Sequence, residues 1–150
     1  MSLQIGDVAP DFEVKNQHGE PVKLSDFRGQ KVALYFYPKD DTSGCTEQAC
    51  NLRDNYAALQ KAGYQILGVS VDTEKKHQKF IGKYELPFPL LADTEHEIVE
   101  KYDVWKEKSM YGRKYMGTMR YTFVIDEHGK IEDIITKVNT KSHADQILKK

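Results

Sequence analysis

The run Val32-Ala-Leu-Tyr-Phe-Tyr-Pro-Lys-Asp-Asp-Thr-Ser-Gly-Cys-Thr46 sets the frame for the whole chain. Its first six residues are apolar or aromatic and too few for a stable helix. This predicts a strand, Val32–Tyr37, buried on both faces. Pro38 has no N–H for a sheet ladder and ends the strand. Lys39–Gly44 is a turn-rich stretch. From Cys45 to Ala62 the residues Ala49, Leu52, Tyr56 and Leu59 recur at spacings of three and four, which predicts one helix closed by Gly63. A cysteine therefore stands in the first turn of a helix that follows a buried strand.

Beyond this unit, Tyr64–Val71 reads as a second apolar strand. A polar helix follows, capped by Asp72 or Thr73 with Glu74 in its first turn. The strand–helix–strand order implies parallel strands and a right-handed crossover. Leu86-Pro-Phe-Pro89 ends that helix, Leu90–Ala92 reads as a short edge-like apolar stretch, and roughly Glu95–Tyr102 as another helix. Val104–Arg120, with Gly112 and Gly117, reads as a loop long enough to suggest function or disorder. A hairpin comes next, Tyr121–Ile125 and Ile131–Lys137, turning through Asp126–Gly129. The segment Thr140–Lys150 starts a last helix at Thr140 or Ser142 and packs through Ala144, Ile147 and Leu148. Upstream, Phe12 and Val14 alternate against Val22 and Leu24 across Asn16–Gly19, which predicts an N-terminal β-hairpin. The sum is an α/β chain with a central mixed sheet flanked by helices. The thioredoxin-like arrangement is the leading candidate, in a single domain spanning residues 1–150.

Composition narrows the function classes. With 22 Lys+Arg against 23 Asp+Glu there is no global positive field to collect nucleic acid or an anionic membrane. Lys106, Lys108, Arg113 and Lys114 form a local basic cluster that reads as a solvated loop. The longest apolar run is far too short to cross a bilayer. Met1–Pro10 holds Asp7 and lacks a basic start followed by an apolar stretch, so no secretory leader is expected and a cytoplasmic location is the simplest reading. The five histidines, His18, His77, His96, His128 and His143, lack metal-ligand spacing and read as surface residues.

The two cysteines, Cys45 and Cys50, carry the chemistry. A close pair in a reducing compartment is redox-active or incidental rather than a structural staple. The helix N-terminus around Cys45 offers unsatisfied N–H groups and a partial positive charge, which favour the thiolate. An inert, packed cysteine is the alternative. On one regular helix, residues five apart have α-carbons roughly 8 to 9 Å apart. A disulfide tolerates no more than about 7 Å. Joining Cys45 to Cys50 would therefore require the segment Ser43–Leu52 to unwind.

Phe36-Tyr-Pro-Lys-Asp-Asp-Thr-Ser-Gly-Cys-Thr46 resembles the peroxidatic motif of the peroxiredoxins, and a second cysteine five residues on resembles the bacterioferritin-comigratory-protein (PrxQ) branch. Gly6-Asp-Val-Ala-Pro-Asp-Phe12, Leu24-Ser-Asp-Phe-Arg-Gly29, Tyr111-Gly112 and Arg120-Tyr-Thr-Phe-Val-Ile-Asp126 are similar to family segments in the same order. One departure is Ser43, where the branch commonly has Pro. Ser43 is a candidate helix cap instead.

The resemblance implies an atypical two-cysteine thiol peroxidase acting on hydrogen peroxide and organic hydroperoxides. Cys45 would become a sulfenic acid and Cys50 would resolve it as an intramolecular disulfide. Thr42 would hydrogen-bond thiolate and peroxide, Pro38 would shield the site from water, and Arg120 would hold the thiolate and stabilise the departing oxygen. Read alone, Arg120 passes as a surface arginine at a strand start, Thr42 as a helix-entry residue and Cys50 as a packed small side chain. The resemblance further implies no metal, haem or flavin cofactor, thioredoxin or a similar dithiol as reductant, and a monomer or weak dimer. A disulfide oxidoreductase on the same fold is the rival, although that role normally shows Cys-x-x-Cys whereas this pair encloses four residues.

Overall fold

The computed structural model describes residues 3–149. Met1 and Ser2, within the stretch read for a leader, and Lys150, the end of the last expected helix, lie outside the described residues. In chain order, β1 (Glu13–Lys15) and β2 (Pro21–Lys23) precede β3 (Lys31–Phe36). Next come α1 (Ser43–Asp54), α2 (Tyr56–Lys61), β4 (Tyr64–Ser70), α3 (Glu74–Tyr84), β5 (Leu90–Ala92) and α4 (Glu97–Lys101). The chain continues with β6 (Trp105–Met110), β7 (Arg113–Thr118), β8 (Thr122–Ile125), β9 (Ile131–Ile135) and α5 (His143–Leu148).

Seven strands form one mixed sheet in the order β2-β1-β5-β4-β3-β8-β9. At its centre β3 runs parallel to β4 and antiparallel to β8. The alternation along β3 divides the interior in two. Val32, Leu34 and Phe36 join Ile98, Val99 and Tyr102 of the α4 segment on one side. Ala33 and Tyr35, with Tyr37 beyond the strand, join Cys45, Ala49, Leu52, Phe80 and Ile147 from α1, α3 and α5 on the other. The central strand is thus buried on both faces, and the helices that close the second face include the one bearing both cysteines. Truncating a fully buried side chain such as Leu52 to Ala would cost about 2–5 kcal/mol. Gly68 of β4 lies beneath this face: a Cβ there would come within 3.0 Å of the Tyr35 ring and 2.6 Å of Leu90.

The hairpins at both ends form as expected, with Val14 opposite Val22 and Thr122 opposite Ile135. Other expectations need correction. Val104–Arg120 is not a loop: β6 and β7 pair from Trp105↔Thr118 to Met110↔Arg113 as a separate two-stranded ribbon. Tyr111 (φ 52°) and Gly112 (φ 78°) make a left-handed two-residue turn, the geometry that matches the twist of a tight hairpin. The single helix expected over Cys45–Ala62 begins two residues earlier and breaks at Asn55, whose side chain donates to Asn51 O at 2.8 Å and competes with the backbone ladder. Leu90–Ala92 is not an edge strand, because β1 closes over it through Lys15↔Ala92. The helix expected over Glu95–Tyr102 is only Glu97–Lys101, entered through His96 at φ 59°. Thr73, not Asp72, caps α3, accepting from Lys76 N at 3.3 Å. No helix among the described residues is long and apolar enough to cross a membrane.

Candidate active site

The site grows from the junction of β3 and α1. Tyr37 continues the strand direction, its N–H donating to Val69 O at 3.1 Å, and half-buried Pro38 begins the loop. Asp41 adopts φ 59°, and the chain turns helical after Thr42, the N-cap, at φ −89° and ψ 158°. Ser43, Gly44 and Cys45 are then the first three helical positions. Thr46 N is the first to bond back, to Thr42 O at 2.8 Å. N–H groups in this first turn have no acceptor within their own helix. Ser43 was a candidate cap, but it already lies inside the helix, and no side chain caps α1.

Cys45 is 1% exposed and its thiol is free. Arg120, at the entry to β8, donates from Nη2 to Cys45 Sγ at 3.3 Å and from Nη1 to Gln48 Oε1 at 2.8 Å. One guanidinium fork therefore engages two side chains three residues apart on α1, a spacing that puts them on one helix face. Gly44 leaves room for it, since a Cβ there would sit 3.3 Å from Arg120 Nη2. Gln48 is fully buried, and its Nε2 finds no hydrogen-bond partner among the described residues. A second cation approaches from the ribbon. Burial, and then the charge of Arg120, push the Lys108 ammonium below the usual lysine range, while the Cys45 sulfur pulls the other way. Lys108 thus leaves the solvated cluster in which the sequence placed it, its Nζ donating to Thr118 O.

Of the residues singled out from the sequence, Cys45 and Arg120 come into contact. Cys50 is half-buried and free on the same unbroken helix. Over five residues of regular helix the α-carbons are roughly 8 Å apart, too far for a disulfide. Pro38 and Thr42 bracket the loop. The exposed Thr42 hydroxyl donates to Lys39 O at 3.0 Å rather than to the sulfur. Gln48 and Lys108 are the site residues that sequence reasoning passed over. The i, i+3 spacing of Gln48 from Cys45 was the one available signal.

The histidine reading also changes, because His77 and His143 are fully buried. His143 Nδ1 donates to Gln146 Oε1 and its Nε2 accepts from Thr122 Oγ1, both at 2.8 Å. His77 lies between Asp40 and Leu91 O. Each fills its hydrogen bonds within the core, as buried polar groups must. No cluster of three or more His, Cys, Asp or Glu suited to a metal ion occurs among the described residues.

A family model described as the AhpC/TSA family matches residues 5–134. Peroxiredoxin Bcp of Bacillus subtilis (strain 168) is 48% identical over 148 residues, covering 99% of this chain and 94% of the relative. Peroxiredoxin Bcp of Escherichia coli (strain K12) is 48% identical over 146 residues, covering 97% and 94%. Among solved structures, a cysteine-to-serine mutant of PrxQ from Xylella fastidiosa superposes with a TM-score of 0.93 at 30% identity, covering 99% of this chain and 95% of that one. Peroxiredoxin Q of Xanthomonas campestris gives 0.88 at 35% identity, covering 98% and 93%. A cysteine held under an arginine at the head of a helix, on a thioredoxin-like sheet, thus coincides with these full-length likenesses: the chain belongs to the AhpC/TSA family, in the Bcp/PrxQ group of peroxiredoxins.

Proposed function

We propose that Cys45 is the nucleophile and Cys50 the resolving thiol of a two-cysteine peroxidase that takes hydrogen peroxide and organic hydroperoxides. The chain is a thiol-dependent peroxidase by its family. The observation that carries the residue assignment is the 3.3 Å contact between Arg120 Nη2 and the buried Cys45 Sγ.

The thiolate of Cys45 attacks one peroxide oxygen, the O–O bond breaks, and the electron pair leaves with the distal oxygen, which takes a proton to become water or an alcohol. Cys45 keeps the other oxygen as a sulfenic acid. Negative charge spreads from sulfur over both oxygens in the transition state. Arg120 and the first-turn N–H groups of α1 are donors already in place for it. Thr42 commits its proton to Lys39 O, so it offers the incoming peroxide an acceptor and orients the O–H of the substrate. Pro38 adds no donor of its own beside this loop, and in this reading it keeps water from competing at the mouth of the site. The Cys50 thiolate then displaces hydroxide from the sulfenic sulfur, water leaves after protonation, and the disulfide forms once the start of α1 unwinds. A dithiol protein such as thioredoxin restores both thiols by exchange.

The test mixes reduced protein with one equivalent of hydrogen peroxide and follows thiols and intact mass. Rapid loss of two thiols and two mass units, abolished in Cys45→Ser and diverted to oxygen-added Cys45 in Cys50→Ser, is the expected result. Oxidation no faster than that of a free thiol would sink the assignment, and rapid insulin reduction would favour the oxidoreductase.

A further inference from the structure

We propose that His77, on α3 and outside the peroxide site, is a positioning residue for the peroxide reaction: through Asp40 it sets the loop that presents Thr42 and Cys45. The inference rests on the reading of Cys45 as the nucleophile.

His77 is fully buried. Its Nε2 lies 2.9 Å from Leu91 O, and because a carbonyl only accepts, Nε2 carries a proton. Nδ1 lies 2.6 Å from Asp40 Oδ2, so one proton sits between them. Asp40 Oδ1 accepts from Tyr37 OH at 2.5 Å. The Asp40 N–H donates to Asp72 Oδ2 at 2.8 Å. Asp72 also accepts from Ser70 Oγ at 2.8 Å and faces Lys76 Nζ at 3.8 Å. Asp40 is therefore gripped from the end of β3, the end of β4 and α3, with β5 behind the imidazole.

The next residue shows why the grip matters. Asp41 sits at φ 59°, a left-handed conformation that costs a side-chain-bearing residue free energy unless its surroundings hold it. Lys83 Nζ at 2.9 Å and Tyr84 OH at 2.8 Å, both from α3, hold its carboxylate. Thr42, the N-cap residue of α1, follows at once. The place where α1 starts is thus dictated by α3, through His77 at Asp40 and the Lys83–Tyr84 pair at Asp41. Displacements of about 1 Å in reacting groups can cost roughly 100-fold in rate, so the anchor bears on chemistry as well as on folding.

Two substitutions separate these roles. The amide of His77→Asn reaches the place of Nδ1, keeps a donor on Asp40 and abandons Leu91 O. His77→Gln reaches the place of Nε2, keeps Leu91 O and abandons Asp40. Each loses one buried hydrogen bond, so a purely structural role predicts parallel losses. The readouts are the second-order rate of Cys45 oxidation by hydrogen peroxide, the rate of Cys45 alkylation by iodoacetamide, and Tm. The expected result is oxidation slowed about 10- to 100-fold in His77→Gln and within about threefold of wild type in His77→Asn, with alkylation little changed in both. Equal slowing in the two variants, or a wild-type rate in His77→Gln, overturns the proposal. If His77→Gln does not fold, Asp40→Ala removes the carboxylate through which His77 acts, and an unchanged oxidation rate there overturns it equally. A wild-type protein oxidised no faster than a free thiol would overturn the nucleophile assignment and this inference together. Fast wild type with an equally fast Gln variant would remove only His77.

Discussion

Gln48 and Arg120 meet at 2.8 Å, Oε1 to Nη1, and the same guanidinium passes its Nη2 to the sulfur of Cys45. Gln48 is therefore the strut that keeps the arginine aimed at the Cys45 sulfur, and Gln48 and Cys45 sit on one face of α1 across a single turn.

Removing the arginine and removing its strut should differ in degree. Arg120→Met is expected to slow Cys45 oxidation by about 100- to 1,000-fold, the loss typical of a preorganised transition-state donor. Gln48→Leu, which leaves the guanidinium present but unaimed, is expected to cost about tenfold. Competition against a reference peroxidase measures both. A Gln48→Leu rate equal to wild type would show that the sulfur alone orients Arg120.

Ser43 occupies the first position of α1, where a missing N–H is harmless, and Thr42 already has the extended backbone that a following proline demands. Ser43→Pro is expected to stabilise the reduced protein by about 0.4–1 kcal/mol in urea unfolding. By stiffening the helix entrance, it should also slow formation of the Cys45–Cys50 disulfide. A destabilised variant would show that the backbone at Ser43 is less open to proline than its position implies.

Oxidation should melt a segment with definite ends. Asn51 donates to Lys141 O at 2.9 Å and accepts from Ala144 N at 2.8 Å, and Arg53 Nη1 donates to Tyr84 O at 2.7 Å. Amide exchange comparing the reduced and disulfide forms is expected to rise across Ser43–Cys50 and to fade by Leu52. Unchanged protection there would exclude unwinding. Cys50→Ser, lacking a resolving thiol, is expected to accumulate sulfinic Cys45 under repeated peroxide, read by mass.

Stability should fall on the acid side of neutrality because of His143. Burial pushes its imidazole below the ordinary 6.5, with the nearby Arg120 charge acting in the same direction and the Gln146 bond opposing. Below pH 6.5 the unfolded chain takes up a proton that the folded chain refuses. Stability therefore declines as pH drops from 6.5 towards the folded value and is flat above 6.5 as far as this group is concerned. Urea unfolding at stepped pH, with His143→Asn as control, measures the slope, and an identical slope in the variant would assign it elsewhere.

The strand–turn–helix core of the site was legible because its signals are local: six apolar residues, a proline, a turn and a helical repeat. The ribbon was not. Strand patterns are read from a buried face, and β6 and β7 carry Lys, Glu, Ser and Arg on largely exposed faces, so only the Tyr111-Gly112 turn between equal arms betrayed it. The break at Asn55 depends on one side chain bonding to its own helix. Gln48 and His77 escaped for a different reason. Whether a polar residue is buried is decided by partners 72 and 37 positions away in sequence, and periodicity carries no information about them. Cys45 and Arg120, 75 positions apart, were linked only through the family resemblance.

The ribbon has a further consequence, for the life of the protein in a crowded solution. Among the described residues β6 and β7 pair only with each other, so the outer backbone row of each has no strand partner. Such rows are templates on which a second chain can add a strand, and Met110, Tyr111, Tyr115 and Met116 are exposed beside them. Charged side chains on the same strands, Lys106, Arg113 and Lys114, discourage such an addition, because an edge lined with charge is a poor template for a neighbouring strand. The ribbon thus joins two demands, a lysine turned inward towards the site at Lys108 and charge turned outward along an edge that would otherwise invite another strand.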